Sequence, residues 1–376
     1  MSRQVQRRRP MNNAEKHIKE PFAHVVRRGQ ISWWNAALIR VIAIVAALIF
    51  GGLVSYLLIG VDPIKLYSTM IDGVFGTDRR IWKLAKDIAL LLCISLAVTP
   101  AFKMRFWNIG AEGQTLISCL ASVACIIYLG GKVPEWLLLI LMLISALVAG
   151  AVWALIPAIF KAKWNTNETL FTLMMNYVAT YLVAYFLLKW TPSGSSTIGM
   201  LEKGHLPKIG DNEYLLLIIT VALLTVAVYI YLKYSKQGYE ISVVGESENT
   251  AKYIGINVKK VIIRTMIISG ALCGLAGFLI VGALDHSVTT TTVGGLGFTA
   301  IMVSWLGKFN PIAMVLTSFL IVFLENGSDR IVSIFESRGV NPAFPSIITG
   351  IILFFIIGCE FFINYKIVFR KKEVNK

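Results

Sequence analysis

The stretch Phe106-Trp107-Asn108-Ile109-Gly110-Ala111-Glu112-Gly113-Gln114 puts polar side chains and glycines between two long apolar runs, 88–99 and 116–129. A carboxylate within a hydrocarbon segment costs roughly 2.5–3.5 kcal/mol. Irregular backbone at that depth is tolerated only where protein or a water-filled cavity surrounds it. Two interpretations fit these residues: the polar lining of a path through a membrane, or a reverse turn at the membrane surface. Lys103 and Arg105, just upstream, suit the second.

The composition around this stretch predicts an all-α integral membrane protein. Of the 376 residues, 56% are hydrophobic, and the mean hydropathy is +0.70. Several runs approach the roughly 20 apolar residues that a membrane-spanning helix needs. The formal charge of +15 sits beside apolar runs rather than on a separate soluble module. This favours contact with membrane lipid and argues against a nucleic-acid partner.

The apolar runs predict about ten transmembrane helices. We expect them at residues 35–60, 87–102, 113–129, 136–160, 165–188, 214–232, 261–284, 294–306, 312–324 and 346–364. Thr166 or Asn167 is the expected N-cap of the fifth, and Glu325 and Asn326 are expected to end the ninth. About two-thirds of the Lys and Arg then fall on one side, so the positive-inside rule places both termini in the cytoplasm.

The same division predicts three parts of the chain. Residues 1–34 form a basic cytoplasmic tail, 35–365 a polytopic transmembrane domain with a cytoplasmic loop at 233–260, and 366–376 a second basic cytoplasmic tail. The first outer loop, 61–86, is the weakest point of the assignment, because it carries five basic residues. They are Lys65, Arg79, Arg80, Lys83 and Lys86. Part of that loop lying on the membrane surface is the alternative.

Four segments carry a family resemblance in a consistent order. They are the stretch at 106–114, Met174-Met175-Asn176-Tyr177, the loop 238–256, and Leu306-Gly307-Lys308-Phe309-Asn310-Pro311. Together they resemble the permease subunits of bacterial ABC importers for nucleosides and simple sugars, which work with lipoproteins of the basic membrane protein type. The resemblance covers most of the chain and implies a type II-like importer permease in the bacterial plasma membrane.

This resemblance also implies partner subunits that bind ATP and deliver the substrate. A second homologous permease chain and two ATP-binding subunits, or one fused ATPase, are expected to assemble with this chain. A substrate-binding lipoprotein would deliver nucleosides first and simple sugars second. ATP and Mg would be bound by the partner subunits, and no cofactor is expected in this chain.

Residues 246–254 in the cytoplasmic loop are expected to form a short helix that is too short to be stable without a partner surface. The resemblance implies that this is the coupling helix that docks on the ATPase; a helix lying on the lipid surface is the alternative. The expected coupling residues are Gly245, Glu246, Ser247, Glu248, Asn249, Ala251 and Gly255.

Five residues are the candidates for a substrate path: Trp107, Asn108, Glu112, Gln114 and Asn176. Amides can bond a substrate, but polar residues also commonly join transmembrane helices, so both roles stay open for Asn176. A second glycine-rich break at 294–297 sits in a comparable place in the other half of the chain. Paired breaks of this kind often mark a central path. Asp285 and His286 are expected at the outer rim, as part of a docking site or of an ordinary wet loop.

The sequence contains no Gly-x-x-x-x-Gly-Lys-Ser/Thr phosphate loop, so we expect a transport subunit rather than an ATPase. Its histidines and cysteines show no metal-ligand spacing, and no metal site is expected. The rival interpretation is a secondary transporter or channel driven by an ion gradient. That class favours charged relays deep within helices, and few such residues are present.

Overall fold

A computed structural model describes residues 23–29, 32–191, 197–210, 212–335, 340–341 and 343–369. Within these residues the chain forms thirteen α-helices, one π-helical turn and a pair of short strands. The helices are α1 (Trp33–Ile59), α2 (Pro63–Phe75), α3 (Asp78–Lys103), α4 (Ala111–Leu129), α5 (Glu135–Trp164), α6 (Glu168–Trp190), α7 (Leu215–Tyr234), α8 (Lys236–Glu246), α9 (Glu248–Tyr253), α10 (Val258–Leu279), α11 (Leu296–Leu306), α12 (Pro311–Phe335) and α13 (Phe344–Asn364). The π-helical turn Ile280–Asp285 continues α10, and the strands are β1 (Ala23–Arg27) and β2 (Tyr365–Phe369).

Eight of the described helices are long and apolar enough to cross a membrane. They coincide with eight predicted segments, and the two others correspond to α3 and α11. At 11 residues, α11 is about 16 Å long, roughly half the hydrocarbon thickness of a bilayer. The all-α, multi-pass prediction is therefore confirmed, while the number of crossings and the side of each terminus stay predictions.

The chain divides into two compact units. The first comprises Met1–Val54 and Gly350–Lys376, and the second comprises Ser55–Thr349. Within the first unit β1 pairs antiparallel with β2. The Arg40 guanidinium donates to the Glu360 carboxylate at 2.8 Å, which gives the basic residue inside the first helix a charged partner.

The second unit is held together by a close crossing of α5 and α10. Gly150 and Gly270 face each other so closely that a Cβ on either would overlap the other's carbonyl oxygen. Small residues allow this approach in membrane helices, where association depends on packing rather than on the hydrophobic effect. Ala146 and Ala154 continue the small-residue row of α5, and both are buried.

Three predicted boundaries were wrong: the extent of the loop 61–86, the start of the second segment at 87 and the end of the ninth at 324. Residues 61–86 are not an open loop, because Asp62 caps α2 by accepting from the Ile64 amide at 2.8 Å and α3 begins at Asp78. Helix α12 continues to Phe335, so Glu325 and Asn326 lie inside it. Asn326 donates to Asp87 of α3 at 3.1 Å, and that bond lets a polar residue sit within the helix.

One predicted cap is confirmed. The Asn167 carboxamide accepts from the Leu170 amide at 3.1 Å at the start of α6. Glu168 follows in the first turn, where a carboxylate suits the positive end of the helix. The sequence pattern at this helix start was therefore sufficient without tertiary information.

Candidate functional site

The polar stretch comprises the end of the connection between α3 and α4 and the first turn of α4. The side-chain amides of Asn108 and Gln114 are turned inwards. Asn108 is completely buried. Its Oδ1 accepts from the Gly110 amide at 3.0 Å and from Gln114 Nε2 at 3.1 Å. Its Nδ2 donates to Gln114 Oε1 at 3.3 Å and to Ser269 Oγ of α10 at 3.5 Å. The two amide side chains therefore close the turn against each other.

Helix α6 fixes the same turn from outside. Asn176 Oδ1 accepts from the Gly113 amide at 2.9 Å, and Asn176 Nδ2 donates to the Ile109 carbonyl at 2.9 Å. One helical turn earlier, Thr172 Oγ1 accepts from the Ile109 amide at 3.2 Å. Backbone groups that the break leaves unpaired thus find partners on a neighbouring helix, as irregular backbone at membrane depth requires.

Glu112 connects this break to the second glycine-rich break. Its Oε1 accepts from the Gly295 amide and its Oε2 from the Gly297 amide, each at 2.8 Å. Both amides lie at the start of α11, where the unpaired N–H groups and the helix dipole favour a negative charge. The structure therefore brings together the two breaks that the sequence places in separate halves.

Trp107 differs from the other four candidates because it is 45% exposed. Its ring lies against Trp305 of α11, with centroids 5.3 Å apart, and edge-on to Phe102 at 5.9 Å. The polar groups of Asn108, Gln114 and Asn176 are buried and bonded within the protein. Direct contact of these side chains with a substrate stays a prediction.

The predicted single coupling helix 246–254 was wrong in its boundaries. Helix α8 ends at Glu246 and α9 begins at Glu248. Ser247, between them, is extended and caps α9 by accepting from the Thr250 amide at 3.2 Å. The break has a simple cause, since a serine side chain competes for backbone hydrogen bonds and favours a cap over a helix interior.

Helices α8 and α9 are anchored to the transmembrane helices by a shared apolar cluster. Ile241, Val244 and Ala251 are buried together with Phe106, the residue that opens the polar stretch. At Gly245, a Cβ would overlap the carbonyl oxygen of Lys103 at the end of α3. Helices α8 and α9 therefore pack against the backbone that leads directly into the break.

An ion pair adds a second attachment of α8. Arg264 of α10 donates to Glu240 at 2.8 Å, and both side chains are mostly buried. Partly buried pairs with good geometry contribute more than surface pairs. The attachment leaves the far side of α9 exposed, including Glu248 and Lys252, which lie 3.9 Å apart.

Sequence reasoning missed several residues of these two regions. Tyr253, at the end of α9, is 92% exposed, but the loop 238–256 also contains Tyr239 and several apolar residues, so its type did not set it apart in the sequence. Thr172 precedes Asn176 by one helical turn and shares its face, so helical spacing could have found it. Ser269 and Trp305 carried no local signal, because their partners are far away in the sequence.

Comparison with known proteins identifies the family. Residues 81–357 match the family described as "Branched-chain amino acid transport system / permease component". The guanosine ABC transporter permease protein NupP of Bacillus subtilis is 31% identical, over 85% of this chain and 92% of that protein. The glucose ABC transporter permease protein TsgB13 of Haloferax volcanii is 29% identical over 90% and 92%. The nucleoside ABC transporter permease protein NupB of Lactococcus lactis is 27% identical over 85% and 90%.

The chain therefore belongs to this permease family. It is the multi-pass membrane subunit of an ABC importer, and it works with ATPase and substrate-binding partners. The family predicted from the four sequence segments is confirmed.

Proposed function

We propose that this permease carries nucleosides across the membrane. The observation that carries the proposal is the 31% identity to the guanosine permease NupP, which extends over 92% of that protein. NupB, named for nucleosides, supports the same class. The family's description names branched-chain amino acids, so family membership alone does not select the substrate.

Simple sugars are the second candidate. TsgB13, which is named for glucose, is 29% identical over 90% of this chain. Nucleosides contain a sugar, so a site built for ribose hydroxyls serves part of either molecule. The additional feature of a nucleoside is its flat base, which can stack on an exposed aromatic ring. Trp107, half-exposed and backed by Trp305, offers such a surface.

The substrate path in this proposal runs beside the break formed by Trp107, Asn108, Glu112, Gln114 and Asn176. In the conformation described here the amides are bonded to protein. Their role is therefore to hold the wall of the path, and those bonds must be exchanged if they are to meet a substrate. Transport requires an element with two states. These side chains would provide one if their hydrogen bonds to protein are exchanged for hydrogen bonds to substrate.

Coupling to ATP hydrolysis would act through α9. The proposed docking surface comprises Glu246, Ser247, Glu248, Asn249, Tyr253 and Gly255. Gly245 and Ala251, which the sequence also predicted for coupling, are buried against the transmembrane helices and cannot belong to it. Tyr253 is the best candidate for an anchor, because exposed tyrosines contribute strongly to interfaces and its side chain is almost fully exposed. A push on α9 would reach Phe106 through the apolar cluster and from there the break.

The proposed assembly contains a second homologous permease chain and either two ATP-binding subunits or one fused ATPase. A lipoprotein delivers the substrate, and ATP and Mg belong to the ATPase. In this assembly the chain itself hydrolyses nothing. Transport in the absence of a nucleotide-hydrolysing partner would overturn this part of the proposal.

The decisive experiment is uptake of radiolabelled solutes by cells that express or lack the complete transporter. Guanosine and other nucleosides should accumulate only when the transporter is present, and unlabelled nucleosides should compete. Equal competition by glucose and guanosine would favour the sugar class, and competition by glucose alone would contradict the nucleoside proposal.

The coupling role has its own test. Tyr253→Ala should weaken capture of the ATPase subunit roughly thirtyfold, the effect of losing about 2 kcal/mol at an interface anchor. Tyr234→Ala is the matched control, because Tyr234 is also an exposed tyrosine and ends the neighbouring helix α7. Equal capture by Tyr253→Ala and wild type would remove α9 from the docking surface.

A further inference from the structure

A basic cavity lies where α3 begins and the chain approaches α7. It has a volume of about 620 Å³. Its walls include the cationic side chains of Arg79, Arg80, Lys83 and Lys86, together with the aromatic rings of Trp82 and Tyr214. These are four of the five basic residues that fitted the positive-inside rule poorly. In the structure, these four positive charges, which the membrane topology did not explain, therefore line one concave site.

Two of the four cations have no charged partner among the residues that the structure describes. Arg80 is bonded to Asp72, at 3.2 Å from its carboxylate, and Lys86 lies 3.7 Å from Asp87. Within the described part of the chain, Arg79 and Lys83 form no ion pair and both are exposed. They are therefore free to bind an anion.

Glu213, the acidic residue on the cavity wall, does not neutralise them. Its carboxylate is bonded to Lys208. That bond lowers the pKa of Glu213, so the carboxylate is committed to a partner of its own. The cavity consequently keeps a positive charge.

The spacing of the cations places them on one helix face. Arg79, Lys83 and Lys86 follow each other at i, i+4 and i+7 on α3, with Trp82 beside them. Like charges at this spacing repel each other and destabilise a helix. A bound anion would offset that repulsion.

The surroundings indicate which anion. Trp and Tyr are enriched where membrane-spanning segments meet water, and Tyr214 immediately precedes the membrane-length helix α7. An exposed apolar stripe of α7 begins about one turn beyond it. The stripe comprises Ile219, Leu223, Val226 and Ile230. A cationic cavity followed by an apolar stripe matches a molecule with a phosphate head and hydrocarbon tails.

We propose that this cavity binds the phosphate headgroup of an anionic phospholipid. Arg79 and Lys83 supply the uncommitted charges, and Trp82 and Tyr214 bracket the headgroup at the interface. A protein partner with an acidic surface would suit a flat basic patch better than a concave site of about 620 Å³. The site is separate from the break and from α9, so it does not depend on the substrate proposed above.

The test titrates the delipidated, full-length protein with phosphatidylglycerol or phosphatidylcholine of identical acyl chains, with bound lipid counted by native mass spectrometry. Wild type should prefer phosphatidylglycerol. Arg79→Gln/Lys83→Gln should lower that affinity roughly thirtyfold, since each cation near an anionic surface contributes about 1 kcal/mol. Affinity for phosphatidylcholine should not change.

The control variant Lys132→Gln/Lys189→Gln removes two exposed lysines elsewhere and should bind like wild type. The exchange Arg79→Lys/Lys83→Arg should preserve the preference. If the neutralised double variant does not fold, Lys83→Gln alone serves, because Lys83 is exposed on the helix surface.

Three results would overturn the proposal. The first is equal binding of phosphatidylglycerol by the neutralised variant and wild type. The second is displacement of the lipid by millimolar inorganic phosphate, which would indicate a site for the free anion. The third is a neutralised variant that binds lipid like wild type but no longer captures the substrate-binding lipoprotein. That result would make the cavity a protein docking site.

Discussion

The two glycine-rich breaks meet the same physical demand in different ways. The first, between α3 and α4, is bonded by its own Asn108 and by side chains from three helices, namely Gln114 of α4, Asn176 of α6 and Ser269 of α10. The second, which leads into α11, directs its Gly295 and Gly297 amides to Glu112 of α4. One break is held by a network, whereas the other depends on a single side chain of the first.

This difference indicates which break is the better hinge. A network loses one bond at a time, so the first break should keep its shape when a neighbour moves. In the second break, by contrast, the Gly295 and Gly297 amides both lose their side-chain acceptor when one carboxylate moves. We therefore expect α11 to shift relative to α4 during transport, with Glu112 as the contact that is made and broken.

Glu112→Ala should have the largest effect, because it removes the side chain that connects the two breaks. Two amides lose their acceptor, at roughly 1–3 kcal/mol each. We expect a clear fall in Tm and a loss of uptake, with insertion into the membrane retained. Glu112→Gln, which keeps one acceptor oxygen, should be intermediate.

Glu135→Ala is the control for this substitution. Glu135 also lies in the first turn of its helix, but among the described residues it accepts a single long bond, at 3.3 Å, from the Gly204 amide. Normal uptake and Tm in Glu112→Ala would mean that the carboxylate does not hold the second break, and the asymmetry proposed here would be wrong.

Asn176→Ala tests the first break and should have the second largest effect. It removes two neutral hydrogen bonds, at roughly 0.5–1.5 kcal/mol each, whereas bonds to a carboxylate are stronger. Thermal unfolding and uptake should both respond. Thr180→Ala, one turn later on α6, removes a hydroxyl that bonds only within its own helix and should be nearly silent. If Thr180→Ala matches Asn176→Ala, the effect belongs to α6 rather than to the break.

Thr172→Val tests the contribution of a single hydrogen bond to the first break. The substitution keeps the side-chain shape and removes the acceptor of the Ile109 amide, for an expected loss of about 1 kcal/mol. Combined with Asn176→Ala, it should deviate from additivity, because both residues hold the same turn. Thr220→Val on α7 is the control, since that hydroxyl bonds within its own helix. Strict additivity would show that the network acts as independent bonds.

The smallest expected effect is a pH response at the approach to the second break. The rings of His286 and His205 are 3.8 Å apart. Desolvation first, and then the charge of His205, lower the pKa of His286, with Lys208 acting in the same direction and Glu213 against it. The folded state therefore favours the neutral ring, and its stability is complete above about pH 6.5 and falls as pH drops below it.

Hydrogen exchange checks this response. The Leu201 amide donates to the His286 carbonyl at 2.9 Å, and its protection, corrected for intrinsic rates, should fall in acid. In His205→Asn the dependence should shrink, because one of the two facing rings is gone. A flat profile in wild type would rule out the histidine pair as the source.

Part of this molecule was predictable from local sequence. Apolar run length predicted the eight long helices, and the Asn167 cap was predictable because its partner lies three residues away. The division of 246–254 at Ser247 was missed, since a capping serine and a helical serine look alike until the backbone is seen. Helix α2 was missed because its 13 residues are too few to cross a membrane, although Leu66, Met70 and Val74 recur at helical spacing.

The sequence by itself determined that the chain is a multi-pass permease, because hydropathy and the glycine-rich motifs are encoded within short windows. Only the tertiary structure decided what the motif residues touch. Asn176 reaches a turn more than sixty residues away, and Glu112 reaches amides more than one hundred and eighty residues away. A hydrogen bond requires atoms within about 3 Å, and no local pattern specifies which distant backbone group will arrive at that distance.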